Sequence, residues 1–96
     1  MLLEAPYKVG DTVSIKLSSG EEMVARLEDE SAKYVVIKKP MMLVAGQNGA
    51  GLAPFMFTVE QDAKIKLAIN NIICIVKTGK EPANMYIQAT TGLKTV

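Results

Sequence analysis

Apolar and polar positions alternate along this chain in short runs, the period of half-buried β-strands rather than of helices. In Thr12 to Leu17, Val13, Ile15 and Leu17 fall on one face and Ser14 and Lys16 on the other. Ser18-Ser19-Gly20-Glu21 is a short reversal, after which Met23, Ala25 and Leu27 alternate with Val24, Arg26 and Glu28, so the first two strands form a hairpin. Glu28 to Lys33 has almost no apolar content and reads as a loop. Tyr34-Val35-Val36-Ile37 then opens a third strand, apolar on both faces. Pro40 has no N–H for a ladder, so a bend or bulge is expected at Lys38-Lys39-Pro40 before Met41 to Val44 resumes the strand.

Asn48-Gly49 is the hairpin signal that follows, and Leu52 to Val59 is again strand-like, with Phe55, Phe57 and Val59 on one side. With the turn there, Tyr34 to Val44 and Ala53 to Ile69 pair as a long bent ribbon, Glu60-Gln61-Asp62 opposite Val35-Val36-Ile37. The glycines of this tip do not make a phosphate loop, because no Lys-Ser/Thr follows and the next segment is a strand.

The remaining elements converge on Lys64 to Lys77. Ile65, Leu67 and Ile69 alternate with Lys64, Lys66 and Ala68, giving a half-buried strand with a basic outer face, whereas Ile72 to Val76 is apolar on both faces. The buried set changes parity across Asn70-Asn71, so a bulge or tight corner is required there. Those two amides are either a plain turn or face a ligand. Glu81 to Ala89 fits a short helix, with Pro82 in its first turn and Gly92 at its end. Too short to be stable alone, it should dock Met85, Tyr86 or Ile87 on the strands or on a neighbouring subunit.

The prediction is therefore an all-β fold: a small, strongly bent five-stranded antiparallel barrel over residues 1–80, with an extended middle hairpin, and a short C-terminal helix and tail over 81–96. Ninety-six residues suffice for one modest core, and assembly could add to its stability. No stretch is long or apolar enough to span a membrane, and Met1 to Lys8 carries an acid and a proline where a signal peptide needs a basic start and a long apolar run, so a cytoplasmic protein is expected. The single cysteine, Cys74, lies in the most apolar strand and is expected to be an inert core thiol.

A net charge of +1 conceals an asymmetry. Residues 1–32 hold three bases against seven acids, net −4, and residues 33–96 hold eight lysines against three acids, net +5. Such asymmetry gives a folded domain either one acidic and one basic face, the latter suited to a polyanion, or simply a solvated charged surface.

The first hairpin, Ile15-x-Leu17-x-x-Gly20-x-x-Met23-x-Ala25-x-Leu27, resembles the first motif of the Sm-like family (LSm proteins and bacterial Hfq), with Ala25 where that family usually has a second glycine. Ile69-Asn70-Asn71-Ile72 is similar to the end of its second motif. The strand order between them is also the family's, so the resemblance covers about Val9 to Lys77. In overall look the chain is similar to the small Sm-like proteins of cyanobacterial viruses. Other features also depart from the family pattern: the helix has moved to the C-terminus, the middle hairpin is longer than usual, Lys33-Tyr34 falls where the RNA-pocket loop has Asn, and Ala68-Ile69 replaces Arg-Gly.

The resemblance implies a homo-oligomeric ring in which the fourth strand of one subunit pairs with the fifth of the next. It implies nucleic-acid binding at the pore loops, RNA ahead of single-stranded DNA, in RNA or DNA processing. Carried over to this chain, the binding residues are Lys33, Tyr34, Lys64, Lys66, Asn70 and Asn71, with Tyr34 stacking a base and the amides reading its edge. The departures imply little preference for uridine. Tyr34 could equally serve the core, and Ile72 to Val76 could be a central strand rather than a subunit edge.

Catalysis has little basis, since the chain has no histidine and its lone cysteine has no activating partner. No catalytic residue, metal or cofactor is expected. The competing reading is a structural or adaptor ring that binds a protein partner through the Met41 to Phe57 hairpin, whose Met-Met and Phe-Met-Phe surfaces suit packing.

Overall fold

The computed structural model describes residues 6–91. It is mostly β, with strands β1 (Thr12–Leu17), β2 (Glu22–Glu30), β3 (Tyr34–Gly46), β4 (Gly49–Pro54), β5 (Ile65–Ala68) and β6 (Ile72–Lys77), a 3₁₀ turn at Ile69–Asn71, and one helix, α1 (Lys80–Thr91). Every strand pair is antiparallel, in the order β4-β3-β2-β1-β6, and β5 pairs with the first half of β3. The sheet does not close within one chain. Instead of five strands there are six, because the long fourth strand expected from Leu52 onward is interrupted.

Its interruption follows from two prolines. β4 ends at Pro54, opposite Met41, and the last bond of this ribbon runs from Phe55 N–H to Pro40 C=O at 3.1 Å. Residues 55–64 then leave the ladder, and the strand resumes with Ile65 opposite Ile37, so Glu60-Gln61-Asp62 does not face Val35-Val36-Ile37. Phe57, expected on a strand, is 82% exposed. On β3 the expected bulge is present: Val24 pairs with Met41 and Arg26 with Lys38, which leaves Lys39 and Pro40 opposite Ala25 alone, and Lys39 has φ 52°. The hairpin tip is Gln47-Asn48, one residue earlier than expected, with Gly46 paired to Gly49 and Gly49 at φ 108°.

The other end of β2 also differs. Asp29 and Glu30 pair with Val36 and Val35, so the loop shrinks to Ser31–Lys33. The Ser31 hydroxyl organises it, donating to Tyr34 C=O and accepting from Tyr34 N–H. A ladder available on one side overrides the polar composition of the segment.

The core is built on the expected alternating set, Val13, Ile15, Leu17, Met23, Ala25 and Leu27, to which β3, read from sequence as apolar on both faces, adds Val35 and Ile37, with Ile65, Leu67, Ile69, Ile72 and Ile75 packed against them. β6 lies at a sheet edge, not in the centre, and Ile73 is 63% exposed. Cys74 is exposed on that edge rather than buried, because its neighbours Ile72 and Ile75 are the residues that turn inward.

Helix α1 straps the outer face of the sheet. It leaves β6 where Thr78 N–H donates to Thr12 C=O and the Ser14 and Thr78 hydroxyls meet at 2.9 Å. Thr12 is in register with Arg26, and Arg26 with Lys38, so a helix crossing this row reaches β3. Twelve residues at about 1.5 Å each span the roughly 14 Å from β6 to β3. Of the three candidate docking residues only Tyr86 is buried, whereas Met85 and Ile87 are exposed. Thr90 is buried as well, its hydroxyl donating to Tyr86 C=O at 2.8 Å. The expected stop at Gly92 lies outside the described residues. Among the described residues no helix is long and apolar enough to cross a membrane.

Candidate nucleic-acid interface

The two loops expected to carry the site are adjacent. The 3₁₀ turn at Ile69–Asn71 supplies the corner required by the parity change, and Ile69 N–H donates to Lys33 C=O at 2.9 Å, which fixes it against the Ser31–Lys33 loop. The same corner touches the first hairpin, through Ser18 N–H to Asn71 C=O at 2.8 Å. Three chain reversals, distant in sequence, thus meet at one end of the sheet.

Lys33 ends the loop and Tyr34 opens β3, with Tyr34 opposite Ala68 and Val36 opposite Lys66. Residues directly opposite share a face, so Tyr34, Lys66 and Ala68 are on the outer side while Val35 and Leu67 point to the core. Lys66 Nζ stands 4.7 Å from the centroid of the Tyr34 ring. This cation–π contact is at an exposed lysine, where it contributes about 0.5–1 kcal/mol. Stacking of a base on an aromatic ring contributes about 1–3 kcal/mol, enough to displace the ammonium and leave it free for a phosphate. Tyr34 is half-buried: it is part of the outer surface, and the core beneath belongs to Val35 and Ile37.

Asn70 and Asn71 are both exposed at the corner. A shallow cleft of about 550 Å³ joins part of this set, lined by Ser18, Ser19, Phe55, Lys66, Ala68 and Asn71. Ser18, Ser19 and Phe55 are not legible as site residues, because only tertiary contacts bring them there: the bond from Ser18 to Asn71 for the two serines, and packing on the core for Phe55. Lys64 does not join the group. It precedes β5 at the end where Ile65 meets Ile37, a strand's length from Lys33.

The electrostatics are mixed. Lys33 and Lys66 are exposed cations, but Asp29 and Glu30 end the neighbouring strand. Glu30 is engaged, accepting from the Tyr7 hydroxyl at 2.9 Å. Burial first, and then the Glu30 carboxylate, raise the Tyr7 phenol above its ordinary 10.0. Glu21, in the first hairpin turn, is held below the usual carboxylate range by the Ser19 hydroxyl that donates to it. The arrangement offers cations, an aromatic face and amides to a strand of nucleotides. No protein-family model matches this chain, and no curated protein is significantly similar to it.

Proposed function

We propose that this protein is a non-enzymatic, nucleic-acid-binding ring of the Sm-like type, RNA ahead of single-stranded DNA. The observation that carries the reading is the bond from Ile69 N–H to Lys33 C=O, which sets Tyr34 with its Lys66 partner beside the Asn70-Asn71 corner. Two further features support it. The path β6-β1-β2-β3-β5 is the strand order of the family, and the outer edges of β5 and β6 have no partner strand among the described residues. Exposed Ile73 and Val76 on β6 make a costly free edge unless a neighbouring subunit covers it. Pairing β6 of one copy with β5 of the next continues the sheet from copy to copy and removes both free edges once the ring closes.

The test is a salt-dependent titration of single-stranded RNA and DNA oligonucleotides with the intact protein, alongside its mass by light scattering. A mass of about five to seven subunits and a binding constant that falls steeply with salt are expected. No binding at low salt rejects the site, and a monomer at micromolar concentration rejects the ring.

The adaptor reading has its own observation. From Met41 to Val59 the chain carries no charge, and the β3–β4 ribbon exposes Leu43 and Val44. Oligomers that ignore nucleic acid at low salt would put this arm ahead as the functional surface.

A further inference from the structure

A second cleft, of about 330 Å³, lies at the root of the β3–β4 ribbon, against the N-terminal end of β5. Met41, Pro54, Met56, Phe57, Val59 and Ile65 make it apolar, and Ala89 bounds it at the far end of helix α1. Glu60 stands on its rim, exposed and without an ion pair among the described residues, whereas nearby Lys39 is engaged by Asp62 at 3.8 Å. A phenylalanine 82% exposed beside an apolar cleft marks a surface that is incomplete by itself.

We propose that this cleft is the socket for a second copy of the chain, which inserts the corner between its β6 and its α1. The inference rests on the ring reading and adds to it a contact built from the interrupted ribbon and the C-terminal helix, beyond strand pairing. Every strand pair in the chain is antiparallel, and an antiparallel pairing of β5 with the incoming β6 brings that strand's Val76-Lys77 end beside Ile65. The socket is next to Ile65, and the corner that arrives there is complementary to it. Val76, 54% exposed, meets the apolar wall, and Lys77 and Lys80, both exposed, meet the unpaired Glu60. Socket and corner are different patches, so the contact is head-to-tail and continues from copy to copy until rotation closes it.

The experiment follows assembly of the full chain on dilution by light scattering. Phe57→Ser and Glu60→Lys each raise the concentration for half-assembly by about tenfold or more, as expected for a buried aromatic anchor and a desolvated ion pair. Adding Lys77→Glu or Lys80→Glu to Glu60→Lys brings it back to within about threefold of the native value, because the reversed pair attracts again. Far-UV circular dichroism of the single variants stays native, since both side chains are exposed in the single chain. A native protein that is monomeric overturns the ring and the socket together. A native oligomer whose half-assembly concentration is unmoved by Phe57→Ser and Glu60→Lys overturns the socket alone. Loss without recovery in either double reversal overturns the corner as its occupant. Variants with unchanged mass but lower melting temperature would show the cleft filled from within its own chain, and also overturn it.

Discussion

The Tyr86 hydroxyl donates to Lys39 C=O at 2.7 Å, linking the middle of helix α1 to the one non-glycine residue with positive φ among those described. The bond explains how a helix with so small an apolar face stays on the sheet. It also occupies a carbonyl that the bulge removes from the β2–β3 ladder.

Tyr86→Phe should therefore destabilise the protein by about 1–2 kcal/mol, the cost of leaving a part-buried carbonyl without its donor. Tyr86→Ala should cost about 3–5 kcal/mol, because the ring itself is buried. Urea unfolding monitored by circular dichroism separates the two. Equal effects would show that the hydroxyl contributes nothing.

Burial pushes the Tyr86 phenol up from 10.0 to about 12, against a smaller opposing effect of Arg26. The group holds its proton more tightly folded than unfolded, so its contribution is fully present below about pH 10 and is lost as pH rises through about 12. Between those values the melting temperature of the native protein should fall more steeply than that of Tyr86→Phe. Parallel curves would assign the alkaline loss to other groups.

Lys39 at φ 52° bears a strain that glycine relieves. Lys39→Gly should be neutral to about 1 kcal/mol stabilising, since the relief exceeds the added unfolded-state freedom and the pair with largely exposed Asp62 is weak. Lys39→Val, β-branched, should destabilise by about 1–3 kcal/mol. Thermal unfolding of both variants tests the order.

In the proposed RNA complex Lys33 and Lys66 contact phosphates and Tyr34 stacks a base. Each lysine changed to Ala should reduce the slope of log binding constant against log salt by about 0.7. Tyr34→Ala should lose about 1–3 kcal/mol at unchanged slope. Lys64→Ala should have the smallest effect, because Lys64 lies at the opposite end of β5. Filter binding across a salt series reads all four, and a Lys64 effect as large as that of Lys66 would move the site along the strand.

Local pattern alone determined the alternating core from Val13 to Leu27, the first hairpin, the bulge before Pro40, the corner at Asn70-Asn71 and the existence of the final helix. These follow from period, proline and glycine chemistry, all of which act over a few residues. Tertiary structure decided the rest. Whether Leu52 to Val59 stayed a strand depended on where the bulge in β3 left its partner, and Phe57 became surface as a result. Cys74 left its expected core environment because β6 is covered by β1 on one edge only, and the register row from Thr12 through Arg26 to Lys38 set where the helix crossed, so that of Met85, Tyr86 and Ile87 it is Tyr86 that is buried. The meeting of Ser18, Lys33, Lys66 and Asn71 is likewise a property of strand order, which pairs residues far apart in the chain and leaves no trace in local periodicity.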